Sequence, residues 1–514
     1  FSGFLSAYGM GLADLRAIKQ QTHSRPLDAT QFDTVLTNLS NLSKKACDEL
    51  AAQGIATSDI QVIEHLHIQY EGSDSSIPIK KGDLSTVIEE FETEHLRLYG
   101  FLQDGKQLVV EILTSEAVGG GAGPEHRAPL ISDGPRTDKP IESIQMWADE
   151  TWRLAPVYAS GSLPRGASIP GPAILTDTNS TTVVEPGWKA DISGDGNLVL
   201  TRSTHQEKQN IVSTQADPIF IEIFNSLFMS IAEQMGAALQ NTAHSVNIKE
   251  RLDFSCAVFN NNGELVANAP HMPVHLGSMG ESVRAIITAH SKTMKTGDAF
   301  ITNAPYNGGT HLPDITVVMP VFDKATGERV FFVAARGHHA DIGGLTPGSM
   351  PPNSYTIDEE GILFDSLTLV RDGKMLESHI RASLSSGQYP ARSPDQNIAD
   401  LRAQISACTK GANELHAMIG RYGLAGVKAY TGHVQDNAEE AVRRAIDSLK
   451  EGSFSAPMDD GSRVCVSISI NQEARSATID FTGTSEQRPN NYNAPSAVCR
   501  AAVLYVFRTL IDDD

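Results

Sequence analysis

Residues 303–344 read NAPYNGGTHLPDITVVMPVFDKATGERVFFVAARGHHADIGG, and the rest of the chain is organised around them. Two apolar runs, Ile315–Phe322 and Val330–Ala335, are dominated by Val and Phe, and the break between them, Asp323–Glu328, contains Gly327. Branched and aromatic residues on both sides of a glycine-containing break predict two strands joined by a turn. Such a hairpin holds the polar loops at its open end on one rim of a sheet. Those loops carry His311, Asp314, His338, His339 and Asp341. Imidazoles and carboxylates without thiolates suit a divalent ion of intermediate hardness, Mn²⁺, Fe²⁺ or Zn²⁺. Turn-capping histidines are the competing reading, and spacing alone does not separate the two.

Working outward, residues 244–280 (HSVNIKERLDFSCAVFNNNGELVANAPHMPVHLGSMG) are the second chemically dense stretch. Phe254–Phe259 reads as a strand that turns at Asn261-Asn262-Gly263 and returns through Leu265–Ala267. The charged run Lys249, Glu250, Arg251 and Asp253 before it reads as a solvated salt-bridge cluster. His271 and His275 follow in a proline-containing loop, where a structural role and a place on the rim of a site are both open. Residues 349–362 and 481–497 are polar loops without a period, the first shaped as a lid or binding loop, the second rich in Asn. Helical spacing of apolar residues predicts helices over Pro218–Ala243, Gln396–Tyr422, Asp436–Leu449 and Val498–Ile511.

Toward the N-terminus, residues 1–22 read as a glycine-rich lead-in to a short helix beginning near Ser6. A helix over Gln31–Ala56, a strand over Ile60–Tyr70, a helix over Leu84–Leu98 and a strand over Gln107–Thr114 follow. Residues 115–140 form a Gly- and Pro-rich loop that lacks the Lys and Ser/Thr of a phosphate loop. Short strands between Pro–Gly turns across 141–203 predict a small β-barrel or sandwich. Residues 204–216 have no apolar period and read as the main linker.

At 514 residues the chain calls for two or three domains. Its net charge of −21 argues against nucleic acid or an anionic membrane as partner. No apolar run approaches the roughly 20 residues that span a bilayer. Five scattered cysteines, none in a CxxC pair, argue against a disulfide framework or a thiolate zinc site and predict a reducing, cytoplasmic setting. A start at Phe1 and a stop at Asp514, just after an apolar segment, read as a piece of a longer polypeptide.

The motifs Asn247-Ile-Lys-Glu-Arg, Leu265-Val-Ala-Asn-Ala-Pro, His275-Leu-Gly-Ser-Met, Asn303–Asp314, Arg336–Gly344, Asp395–Leu401 and Asp480-Phe-Thr-Gly-Thr resemble the hydantoinase B family. Phe1–Asp14 and Gly171–Trp188 resemble the C-terminal part of hydantoinase A, and the A-before-B order is similar to the ATP-hydrolysing oxoprolinase family. The resemblance implies an α+β, multidomain fold: the tail of an actin-like ATPase domain (1–25), a mixed β-rich domain (26–203), the linker, and a large hydantoinase B-type α+β domain built on antiparallel hairpins (217–514). It implies ATP-driven hydrolysis of the lactam of 5-oxo-L-proline to L-glutamate, in glutathione turnover. ATP with Mg would be bound mainly by the remainder of the polypeptide, so this chain alone is not expected to hydrolyse ATP; assembly as a homo-oligomer is expected. By similarity to acetone carboxylase the metal role falls on His311, Asp314 and His338. His339 competes as a ligand; His339, Asp341 and His275 are the catalytic candidates, with Asp341 placed to orient an imidazole. Arg251, Arg336 and Asn303 are the substrate-binding candidates, the two arginines for their bidentate fit to a carboxylate. An N-methylhydantoin amidohydrolase and a non-catalytic scaffold pairing the A and B halves are the alternatives.

Overall fold

The computed structural model describes residues 13–119, 137–203 and 212–511, with Ser6, Gly9 and Met10, apart from Asp74, Gly100, Phe101, Gln103, Asp104, Glu150, Asp195 and Pro270. Most of the expected 115–140 loop and of the 204–216 linker therefore lies outside the described residues. These residues divide into two compact units, one of residues 1–17, 47–61 and 117–209 and a larger one of 18–46, 62–116 and 210–514.

The first elements are strand β1 (Leu15–Pro26), helix α1 (Phe32–Ala52), strands β2 (Gln61–Tyr70) and β3 (Ile77–Lys80), helix α2 (Leu84–Tyr99) and strand β4 (Leu108–Gly119). The strands form a sheet ordered β1-β4-β2-β3. Val35, Leu39 and Leu42 of α1 and Val87 and Phe91 of α2 share one apolar core with Leu66, Ile68, Val110 and Leu113. One expectation fails here. The helix anticipated across residues 6–22 gives way at Leu15 to β1, an edge strand that buries Ala17 while its polar run Lys19–Arg25 stays largely in solvent.

The smaller unit is β-rich. Strands β5 (Glu142–Ala148), β6 (Thr151–Ala159), β7 (Ser168–Pro170), β8 (Ala173–Thr176), β9 (Thr181–Val184), β10 (Trp188–Ile192) and β11 (Leu198–Arg202) make two sheets, β5-β6-β8-β9 and β11-β10-β7. Leu163, Ile169, Leu175, Val184 and Ala190 form their common core.

The larger unit continues with helices α3 (Pro218–Thr242) and α4 (Val246–Lys249), strands β12 (Phe254–Asn260) and β13 (Leu265–Asn268), helix α5 (Pro273–His290), and strands β14 (Ala299–Thr302), β15 (Asp314–Phe322), β16 (Arg329–His338), β17 (Leu367–Arg371) and β18 (Lys374–Met375). Helices α6 (Glu377–Leu384), α7 (Pro394–Tyr422) and α8 (Leu424–Ser448), a sheet of β19 (Gly452–Pro457), β20 (Arg463–Asn471) and β21 (Ser476–Asp480), and helix α9 (Ser496–Arg508) complete it. The dominant sheet is seven-stranded, ordered β13-β12-β16-β15-β14-β17-β18, with antiparallel neighbours throughout.

This sheet is apolar on both faces, and the period of two explains how one strand serves two cores. Val333 and Ala335 of β16 and Val317 of β15 join Phe224, Phe228 and Met235 of α3 and Leu401, Cys408 and Leu415 of α7. Phe332 and Ala334, with Val318, point the other way to Met279, Val283 and Ile286 of α5. Helices cover both faces, so only the strand ends are left open for chemistry. Among the described residues no helix is long and apolar enough to cross a membrane.

Candidate metal centre

The open end of the β15–β16 hairpin brings Asp314 and His338 into direct cross-strand register. Beside β16, strand β12 pairs Phe254 with Gly337, which carries Asp253 to the same rim. Helix α5 enters from the other side with His275 in its first turn, and the loop after β14 supplies Thr310 and His311.

Asp314 is the centre of the cluster. It is buried, with His311 Nδ1 at 3.0 Å and His275 Nε2 at 3.3 Å from Oδ2, and Thr310 donates its hydroxyl to the same oxygen. His338 Nδ1 lies 3.4 Å from Asp314 Oδ1 and 3.4 Å from Asp253 Oδ2. His275 is held from behind by Ser255 Oγ, 2.9 Å from Nδ1. Two sets of three donors, His311–Asp314–His338 and Asp253–His275–Asp314, each lie within 4.8 Å and share Asp314. Burial pushes the Asp314 carboxyl upward, but contacts from His275, His311 and His338 outweigh it and hold it well below the usual range. Burial likewise lowers His311, yet the Asp314 carboxylate leaves that imidazole raised above its ordinary value.

The donors fit a divalent ion. Among the described residues Asp314 Oδ1 is buried with no hydrogen bond, His338 Nδ1 approaching it only to 3.4 Å, a costly condition that a cation relieves, and nitrogen and carboxylate donors converge there without any sulfur. His311, Asp314 and His338 would hold such an ion, with Asp253 and His275 in reach.

The other expected residues sit elsewhere. His339 follows His338 directly but faces the opposite way. Its Nδ1 accepts from Asn397 and its Nε2 meets Gln404 Oε1, both at 3.1 Å, while Gln404 donates on to the carbonyls of Ile315 and Ala335. Burial keeps that imidazole low and neutral. Asp341 clamps a loop, accepting from the amides of Gly343, Gly348 and Arg392 and from the Arg392 guanidinium. Asn303 bonds to the backbone of Leu312, Ile362 and Phe364, joining three segments. Arg251 is exposed. Arg336 is completely buried behind the cluster and donates to Thr316, Ser278, Ser282 and the Gly308 carbonyl.

Asp253, Ser255 and Thr310 were not singled out from the sequence. Asp253 looked like one member of a charged run, and only the β12–β16 register separates it from its neighbours.

A cavity of about 480 Å³ opens beside His311, walled by Tyr306, Thr310, Tyr355, Glu360, Asn490 and Asn493. Both aperiodic loops thus reach the rim, and among the lining residues there is no Lys or Arg. The His311 loop depends on Gly308, whose φ is +86° and whose added Cβ would fall 2.4 Å from the backbone of Glu281 and Ser282. Gly308→Ala is expected to shift the loop and weaken divalent-ion binding by about tenfold or more, read by competition with a chromophoric chelator.

Near the cluster, His271 accepts the Cys256 amide and packs on Phe254, 4.6 Å between ring centres. Burial, then the neighbouring His275, pushes its pKa from 6.5 down to about 4. The folded state therefore resists protonation, so this contribution is present above about pH 6.5 and is lost as the pH falls toward 4. Urea midpoints at pH 7, 5 and 4 are expected to fall less steeply in His271→Gln than in the parent.

Residues 217–514 match the family described as hydantoinase B/oxoprolinase, and residues 24–198 match the hydantoinase/oxoprolinase C-terminal domain. The whole chain is 39% identical to 5-oxoprolinase 1 of Arabidopsis thaliana and 39% identical to 5-oxoprolinase of Dictyostelium discoideum, covering 43% and 41% of those proteins. It is 36% identical to 5-oxoprolinase of Saccharomyces cerevisiae, covering 42% of it, so the chain spans about two fifths of the length of these curated relatives. Among solved structures, the ATP-dependent caprolactamase of Pseudomonas jessenii is similar at 25% identity and a TM-score of 0.51, over 56% of this chain and 50% of that one. Acetone carboxylase in a nucleotide-free state shares the fold at 16% identity and a TM-score of 0.52, over 57% of this chain and 41% of that one.

Proposed function

The chain belongs to the hydantoinase B/oxoprolinase family, and from that premise we propose that it is part of an ATP-dependent cyclic amide hydrolase that opens the lactam of 5-oxo-L-proline to L-glutamate. The observation that carries the reading is the His311–Asp314–His338 cluster at the mouth of a cavity lined mainly by amide, hydroxyl and phenol side chains with one carboxylate, Glu360. A lactam is resonance-stabilised, and its carbonyl carbon resists water until the oxygen is activated. Transfer of the γ-phosphoryl group of ATP to the lactam oxygen supplies that activation. Water then adds at carbon, the C–N bond breaks as nitrogen takes a proton, and a second water releases phosphate from the resulting acyl phosphate. MgATP is handled by the remainder of the polypeptide, and the cluster serves the hydrolytic half.

A bound divalent ion would polarise an oxygen of the substrate or lower the pKa of a water. The protein's own part is positional. Asp314 fixes the tautomer and direction of His311, and Ser255 turns His275 toward Asp314. His311 is the member of the cluster that lines the cavity, where its imidazole meets the reacting end of a substrate. The cavity offers amide, hydroxyl and phenol groups for a cyclic amide, one carboxylate, Glu360, and among its lining residues no guanidinium for the substrate's carboxylate, so the site itself does not use Arg251 or Arg336 as that partner. We place the protein in the cytoplasm, consistent with free, unpaired cysteines, and expect it to assemble with further copies.

The test is turnover by the complete polypeptide with 5-oxo-L-proline and MgATP. Glutamate and phosphate are expected in equal amounts. Phosphate release without glutamate would sink the assignment of substrate.

A further inference from the structure

Outside the cluster, a cavity of about 190 Å³ is lined by Lys106, His244, Arg381, Asp395, Ala399 and Arg402 among others, and it shares no lining residue with the cavity at His311. A neighbouring chamber of about 460 Å³ meets it at Arg402 and adds Lys374 and Glu377. Four cations therefore face two carboxylates in a protein whose net charge is −21. A local reversal of sign in an acidic protein raises the local concentration of anions.

The carboxylates use up only part of this charge. Arg381 gives Nε to Glu377 at 2.7 Å and Nη1 to Asp395 at 2.6 Å, and Arg402 gives Nη2 to Glu377 at 2.8 Å. Among the described residues, Arg402 Nε and Nη1, Arg381 Nη2 and the Lys106 ammonium have no acceptor. Spare N–H groups of two guanidiniums and an ammonium around a small volume match a tetrahedral oxyanion, each of whose oxygens accepts more than one charged donor.

We propose that this cavity binds a phosphate group. Its volume holds inorganic phosphate by itself, whereas the rest of a nucleotide would extend into the neighbouring chamber. The wall connects it to the metal cluster. Ile398, Ala399 and Arg402 of α7 line the cavity, and on the same helix Asp400 accepts the amides of His244 and Ser245 while Gln404 holds His339. Phosphate released by an ATP-driven reaction thus has a place to bind from which it bears on the helix behind the site. The link to turnover rests on the function proposed above, but binding itself does not.

Isothermal titration of the purified protein with inorganic phosphate, and separately with ADP, tests the assignment. Lys106→Glu, an exposed change, and Arg402→Gln are each expected to weaken phosphate binding by about tenfold or more, while His311→Ala leaves it unchanged. ADP binding tighter than phosphate and equally sensitive to Lys106→Glu would identify a nucleotide as the source of the phosphate group. Binding that both variants retain, an adventitious ion only, overturns the proposal, as does no binding at millimolar phosphate. Absence of 5-oxo-L-proline turnover by the complete polypeptide, with phosphate binding intact and sensitive to both variants, would overturn the function and leave this site standing.

Discussion

Asp314→Asn is expected to abolish divalent-ion binding by the purified protein and, if the proposed function holds, to lower turnover of the complete polypeptide by about a thousandfold. The change keeps side-chain volume and removes one charge. Asp314 sits opposite His338 in the sheet, is buried, and is the group on which His311, His275 and Thr310 converge. An amide in its place would turn an NH₂ group toward one set of these neighbours and would leave both sets of candidate ligands without their shared carboxylate. Loss of an electrophilic ion is worth several kcal/mol in a transition state, and each 1.4 kcal/mol is about tenfold, so about three orders of magnitude follow. Elemental analysis beside a glutamate assay reads both effects. Asp341→Asn is the matched control, because its carboxylate is spent on Arg392 and loop amides, and it should keep the ion. Full metal content in Asp314→Asn would remove this residue from the ligand set.

Arg336→Met is expected to weaken both the fold and divalent-ion binding. The guanidinium makes hydrogen bonds to a strand hydroxyl, two α5 hydroxyls and a loop carbonyl, with no carboxylate in contact. Each such bond to a charged group contributes roughly 1.5–3 kcal/mol, while taking the charge out of water costs several kcal/mol. Met removes the bonds and leaves their buried hydroxyl and carbonyl partners short of a donor, so the variant should lose about 2–4 kcal/mol of stability, read from its urea midpoint. Burial pushes the Arg336 pKa down to about 10, with Asp314 opposing, so the side chain stays charged at neutral pH. What Met cannot replace is the joint between α5, β15 and the Gly308 loop that sets His275 and His311 around Asp314. Divalent-ion affinity and kcat are expected to fall by about 10–100-fold, the range seen when groups supporting a metal ligand are removed. Arg336→Lys should not rescue, since one ammonium cannot reach oxygens arrayed around a planar fork. Wild-type ion affinity in the Met variant would make Arg336 a structural group only.

Much of this arrangement was legible in the chain. Val and Phe runs on either side of Asp323–Glu328 specify the hairpin, and a hairpin puts the residues flanking its open end together, which is why His311, Asp314, His338, His339 and Asp341 could be grouped from the sequence, while the narrower set His311, Asp314 and His338 came from the resemblance to acetone carboxylase. The helical stripes of α3 and α7 follow from spacing in the same local way. Residues 15–22 did not, because a short amphipathic segment takes the form its neighbours pair with, and β4 was available as a partner.

Tertiary structure decided the rest. Asp253 reaches the rim because β12 lies against β16, a pairing between segments some eighty residues apart that no local pattern encodes. His275 arrives on a helix packed against the same strands, and Ser255 turns it inward. The adjacent histidines show the limit most plainly. Side chains on an extended chain alternate, so His338 and His339 had to point to opposite sides, and the sequence determined that only one of them could meet Asp314 from that end of the strand. Which one was settled by what covers each face: α7 presents Asn397 and Gln404 to His339, while the rim presents Asp253 and Asp314 to His338.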